Sequence, residues 1–285
     1  MTVIIGLIGV FVCTYIGYVG HGGPLMVLYQ PYEYVIIIGI GVCIVFTANP
    51  THVLKRLLPK IFATVKGSGI EKGTYEDLLG LMASIFDTMR REGVLGIEED
   101  LAEPHKSARF SKYPRASHNH HLMETLTGAL RLFVDGVVNA FDLERLLDTE
   151  IETHHEEEML FTNAVARVAD ALPAVGIVAA VLGIIITMQY LDQPPMIIGS
   201  YVAAALVGTM LGVFLAYAVV SPVAAKLESM AHENTSILKT VQAGLVSFAG
   251  GSPPLVALEF ARKTIPSCFR PTAEELEALM KAAKK

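Results

Sequence analysis

The chain has 285 residues, 52% hydrophobic and only 18% charged, where an ordinary soluble domain carries about 25% charged residues. Its mean hydropathy is +0.49, and a net charge of −6 leaves no basic excess for nucleic acid. Its three cysteines, Cys13, Cys43 and Cys268, show no CxxC spacing and read as small apolar filler, without a disulfide framework or zinc site.

Four segments qualify as membrane helices, which need about 20 mainly apolar residues. They are Thr2 to Gly20, about Tyr34 to Asn49 (short, and extended upstream), about Ala171 to Leu191, and about Ile197 to Ser221. Backbone polar groups in lipid must be satisfied internally, so each span is a helix. The linkers His21 to Glu33 and Asp192 to Met196 are short, which pairs the spans as two hairpins. Of the 22 Lys and Arg, 14 lie between residues 50 and 170 and 8 after Ser221. Basic residues stay on the cytoplasmic side. The large loop, the tail and both termini are therefore expected in the cytoplasm of an inner-membrane protein. Lys55, Arg56, Arg167 and Lys226, close to span ends, carry that orientation. The first span lacks the basic n-region and small-residue cleavage site of a secretory signal.

The loop from 50 to 170 is not filler. Leu78, Leu79, Met82, Ile85, Phe86 and Met89 recur at helical spacing, predicting a helix over Tyr75 to Met89 that Gly93 ends after Arg90, Arg91 and Glu92. Ile97 to Glu103 reads as a short helix. Leu122 to Phe133 and Phe141 to Leu160 follow, the latter running toward span three. The fourth span continues past Pro222, with helical character over Lys226 to Phe248, until Gly250-Gly251-Ser252-Pro253-Pro254 stops it. Glu274 to Lys285 is a charged helix or frayed tail. The fold class is thus all-α: four transmembrane helices with a large helical cytoplasmic domain. The segments divide as 1–49, 50–169, 170–222 and 223–285.

Ionisable groups inside spans mark ion or proton pathways. The central parts of these four spans contain none. Their polar content is Thr14, Thr47, Thr187, Thr209 and several Tyr. Spans three and four are instead rich in small residues: Ala174, Gly176, Ala179, Ala180 and Gly183, then Ala203, Ala204, Ala205, Gly208 and Gly212. Small residues let helices approach closely. The stripe serves either packing within the chain or reception of a helix from another subunit. If the protein conducts ions, a partner must supply the titratable carrier. Pro173 and Pro222 stand at the cytoplasmic ends of spans three and four, where proline starts or kinks a helix.

The run Ala205-Leu206-Val207-Gly208-Thr209-Met210-Leu211-Gly212-Val213-Phe214, with Pro222 after it, resembles the signature of the MotA/PomA flagellar stator family. Tyr29-Gln30-Pro31 with Glu33, Leu172-Pro173-Ala174-Val175-Gly176-Ile177-Val178-Ala179-Ala180, Glu150-Ile151-Glu152 and Pro254-Leu255-Val256-Ala257-Leu258-Glu259-Phe260 agree with it. The resemblance runs nearly end to end.

It implies a ring of A subunits, a homopentamer, around two copies of a MotB-like B subunit. The B subunit's membrane helix carries the ion-binding Asp, and its periplasmic domain holds peptidoglycan. Ion flow would protonate and release that Asp and turn the ring. On this reading 1–49 is a peripheral hairpin, 50–169 the rotor-facing domain, 170–222 the channel-lining hairpin and 223–285 a helical extension. Thr209 resembles the channel-facing threonine, and Pro173 and Pro222 the coupling prolines. Arg90 and Glu98 match the charges that meet the rotor protein FliG. Sodium-driven members resemble one another in a threonine at the place held here by Ala180. Sodium needs oxygen ligands to replace its water, so the resemblance implies proton coupling.

His118-Asn119-His120-His121 and His154-His155-Glu156-Glu157-Glu158 give no fixed metal ligand set with a second shell, and no metal or other cofactor is expected. No Walker, GxSxG or zincin motif marks an enzyme. The main alternative is an ExbB/TolQ-type energiser of a proton-driven envelope machine, but those members look three-spanned. A secondary transporter would show repeated halves and broken helices.

Overall fold

The computed structural model describes residues 2–283. In chain order its α-helices are α1 (Thr2–Gly20), α2 (Leu25–Leu28), α3 (Pro31–Ala48), α4 (Thr51–Lys66), α5 (Lys72–Glu92), α6 (Glu98–Ala102), α7 (Ala108–Ser111) and α8 (Pro114–Ser117). There follow α9 (His120–Val134), α10 (Ala140–Thr187), α11 (Pro195–Phe214), α12 (Ser221–Ala249), α13 (Pro254–Thr264) and α14 (Ala273–Ala283). No strand occurs among the described residues. Four stretches are long and apolar enough to cross a membrane: Thr2–Gly20, Leu25–Ala48, Ala140–Tyr190 and Pro195–Ala249. The all-α, four-span class read from the sequence holds. The expected helix to Lys285 is present to Ala283, and Lys284 and Lys285 lie outside the described residues. The chain forms two compact units, residues 1–67 with 158–230 and residues 68–157 with 231–285.

In the first unit α1 is apolar on every side and buries no residue, as a helix solvated by lipid can. Span two starts earlier than Tyr34. Pro31 occupies the first helical turn, where its missing N–H costs nothing, and the turn of α2 precedes it. Glu33, assigned to the linker by sequence, is therefore inside α3. Helix α4 had no counterpart in the sequence reading. Its Val53 and Leu57 pack with Phe161, Val165, Ala224 and Leu227, and Lys60 pairs with Glu158 at 2.5 Å.

Span three is the second half of α10, which runs unbroken through Pro173. The helix read over Phe141 to Leu160 and span three are thus one element. Span four runs through α11 and a π-helical segment, Leu215–Val220, before α12 begins. Pro222, second residue of α12, has no N–H and its ring crowds the carbonyl four residues back, at Ala218. The wider π turn ends just before it, a common device where the regular ladder is interrupted.

In the second unit α5 lies at the centre. Glu71 and Thr74 form a reciprocal capping box at its start, and Gly93, at φ 84°, ends it. Leu78, Leu79, Leu81, Met82, Ile85 and Phe86 are fully buried, each contributing about 1.5–3 kcal/mol of burial. Phe86 stacks on Phe248 with ring centroids 4.2 Å apart and planes 2° from parallel. Lys72 of α5 reaches Glu275 of α14 at 2.6 Å. Arg262 of α13 is buried, held by Glu259 and by the Pro271 carbonyl at 2.9 Å.

Candidate functional site

Spans three and four form an antiparallel pair built on residues without bulk. A Cβ placed on Gly176 would lie 3.0 Å from the Gly208 carbonyl oxygen, and one on Gly183 would lie 2.8 Å from the Ala205 Cβ. Gly176, Ala179, Ala205, Gly208 and Gly212 are buried. These small residues therefore serve packing within the chain.

Ala180 and Thr209 each follow a packed residue, Ala179 and Gly208. One residue turns a helix by about 100°, which leaves both half-buried beside the seam. Around them Ile177, Val178, Val181, Leu206, Met210 and Val213 are exposed. The hydroxyls of Thr14, Thr47 and Thr187 bond carbonyls of their own helices, Val10 at 2.9 Å, Cys43 at 3.0 Å and Gly183 at 2.8 Å. Thr209 makes no such bond among the described residues, so its hydroxyl stays available. The structure thus brings Ala180 and Thr209 to one apolar, partly open face. Pro173 is half-buried within α10 and Pro222 is exposed at the start of α12.

The central residues of the spans are not ionisable, but Glu33, in the first turn of α3, sends its side chain in between spans three and four. It is only 9% exposed. Its carboxylate fills the space left by two glycines: a Cβ on Gly208 would lie 2.6 Å from Oε2, and one on Gly183 would lie 3.6 Å from Oε1. Both glycines belong to the central part of their spans. Oε2 is buried and has no hydrogen-bond partner. A charged carboxylate at such a depth costs about 2.5–3.5 kcal/mol or more. The sequence signal was Pro31, which starts a helix and so draws Glu33 into it.

In the second unit Arg90 and Glu98 are both exposed, at the last turn of α5 and the first residue of α6. Arg91 beside them is tied to Asp87 at 3.0 Å, whereas Arg90 makes no ion pair among the described residues. His120, His121 and Glu124 bring their ligand atoms within 4.8 Å of one another, a grouping the sequence reading missed. All three are exposed, so water competes for every position around them. The hydrogen bond from Arg262 holds the Glu259 carboxyl below its ordinary range. The bond from Lys72 does the same to Glu275, and Lys72 is raised in return.

Known proteins resemble this chain. The family model for the motility protein A N-terminal region matches residues 4–93, and that of the MotA/TolQ/ExbB proton channel family matches 117–240. The chain is thereby a membrane subunit of the proton-channel class. Motility protein A of Salmonella typhimurium is 37% identical over 284 residues, covering 100% of this chain and 96% of the relative. Chemotaxis protein LafT of Vibrio parahaemolyticus is 37% identical over 273 residues, 96% of each. The solved structure of C. jejuni MotAB shares the fold, with a TM-score of 0.79 at 20% identity over 93% of this chain and 96% of that one. The chain belongs to the motility protein A family. It is a multi-pass inner-membrane protein and a channel component, not an enzyme.

Proposed function

We propose that the chain is the A subunit of a flagellar motor stator, which completes a proton channel with a B subunit and converts proton flow into torque. One observation carries this reading: the α10–α11 face holding Ala180 and Thr209 is apolar and partly open. Such a surface suits a close-packed helix from a second chain. C. jejuni MotAB, by its name, pairs a like-folded chain with a B component. A MotB-like helix seated here would bring the ion-binding Asp against Thr209. Several copies of this chain, five in the family's architecture, would ring two such helices and turn around them.

Pro173 and Pro222 would couple the state of the Asp to the cytoplasmic helices. Arg90 and Glu98, exposed and weakly held, would meet opposite charges on FliG. Screened contacts of that kind suit an interface made and broken at each step. Both termini, residues 50–169 and the tail 223–285 would face the cytoplasm, with 1–49 peripheral and 170–222 lining the channel. Ala180 in place of a hydroxyl favours protons over sodium.

Deletion of the gene and complementation test the reading. Cells lacking the chain are expected to keep filaments but not swim, and Pro173 or Arg90 variants to restore swimming poorly. Swimming should collapse with protonophore and ignore external sodium. Normal swimming in a deletion strain with no second stator set, or strict sodium dependence, would overturn the corresponding part. An ExbB/TolQ-type energiser would leave motility intact and impair an envelope process.

A further inference from the structure

Glu33 is a second ionisable group at the channel-forming hairpin, and it belongs to this chain. Three observations bear on it. Its side chain is nine-tenths buried and Oε2 has no hydrogen-bond partner. The surrounding wall offers no counter-charge: the residues it meets on α10 and α11 are Gly183, Gly208 and, around them, Ala179 and Ala205. Of the neighbouring groups, α2 carries only apolar side chains, and Tyr34 beside it on α3 spends its hydroxyl on the Leu28 carbonyl at 3.1 Å. The space it occupies exists only because Gly208 lacks a side chain, since a Cβ there would lie 2.6 Å from Oε2.

A carboxylate cannot remain ionised in such surroundings without a compensating charge. It is stable there as the neutral acid, or as the anion while a cation stands beside it. Ionisable groups inside a membrane mark ion pathways, proton relays among them. A purely structural residue at this place would be apolar, because nothing in the chain uses its hydrogen-bonding capacity.

We propose that Glu33 is a proton-exchanging station of the channel, lying on the side of the α1–α3 linker and passing protons toward the carboxylate that the partner supplies. A hydronium ion gives its proton to Oε2, forming the neutral acid and releasing one water. The O–H bond then breaks as the proton moves to the partner's carboxylate while the next hydronium ion arrives beside Glu33, so that its anion is never left without a compensating charge. No oxidant or other reactant is required. This rests on the proton-channel reading above.

The test uses the full chain co-expressed with its B partner. Proton uptake is measured in vesicles carrying the complex under an imposed potential, and swimming speed is measured against external pH. Glu33→Asp keeps the titrating group, whereas Glu33→Gln keeps size and hydrogen bonding but cannot exchange a proton. Glu33→Gln is expected to lower uptake on the order of 100-fold at unchanged membrane level and B-subunit co-purification. Glu33→Asp should retain uptake with a displaced speed-versus-pH profile. Uptake in Glu33→Gln equal to that of the unaltered complex overturns the proposal. If Glu33→Gln fails to assemble, infrared spectroscopy of the unaltered complex decides. A buried carboxylic-acid band that titrates, and that moves in Glu33→Asp, supports the proposal, and its absence overturns it. A wild-type complex that takes up no protons would instead sink the channel reading itself.

Discussion

Gly176 and Gly212 meet backbone to backbone, with no side chain between their helices. A Cβ on Gly212 would lie 2.7 Å from the Gly176 Cα and equally close to the Leu172 carbonyl oxygen. Backbone atoms cannot step aside as a flexible side chain can. Gly212→Ala is therefore expected to force α10 and α11 apart, at about 1–3 kcal/mol of overpacking. Thermal unfolding of the detergent-solubilised chain should show a lowered midpoint, and swimming should be lost. Gly199→Ala, where a Cβ meets open space, should leave both unchanged.

The cytoplasmic unit hangs on its aromatic centre. Phe86 is fully buried and lies flat on Phe248. Phe86→Ala should cost about 3–5 kcal/mol through lost burial and the cavity left behind. Limited proteolysis of membranes should then cleave within residues 68–157 and 231–283 before any cut in the membrane unit. Equal resistance of both proteins would contradict the packing.

The attachment of α14 to α5 depends on pH in both directions. Glu275 is held below its ordinary range by Lys72, so its contribution is full above the unfolded value of about 4.3. It fades as pH falls through the lowered folded value. Lys72 is raised, so its contribution is full below the unfolded value of about 10.4 and fades as pH rises through the higher folded one. Hydrogen exchange along Ala273–Ala283, taken relative to the intrinsic base-catalysed rate at each pH, should be slowest between these limits. Because both groups are exposed, added salt should speed it. Lys72→Met should give fast exchange that no longer responds to salt.

Arg90 and Glu98 should behave as surface charges in every assay but torque. Neither is buried, and such substitutions change stability by no more than about 0.5 kcal/mol. Arg90→Glu should leave membrane level and melting unaltered while slowing tethered cells under load. A reversed charge on the rotor face should recover part of the loss. Slowing that tracks a fall in protein level would remove Arg90 from the rotor contact.

Much of this fold was legible because lipid simplifies the code. Uninterrupted apolar runs named the four spans, and the helical spacing from Leu78 to Met89 named α5. Helix α4 escaped notice because Lys55, Arg56, Lys60 and Pro59 break up its pattern, and its apolar residues reveal a face only once Phe161 and Leu227 are packed against it. The position of Glu33 escaped for a different reason. A span boundary drawn by hydropathy excludes a charged residue by construction, while the glycines that make room for it are far away in sequence. At the hairpin the small residues were legible as a group. Which of them pack inward, as Gly208 does, and which stay open, as Thr209 does, follows only from the crossing of the two helices.

The π-helical segment Leu215–Val220 is a phase error placed inside span four. A π turn takes up more residues than an α turn, and each residue is worth about 100° of azimuth. A helical wheel drawn straight through from Thr209 to Pro222 therefore assigns the later residues to the wrong side. A rotation imposed on the channel face need not reappear unchanged at Pro222. The π winding thus sets the side of the span on which Pro222 falls relative to Thr209.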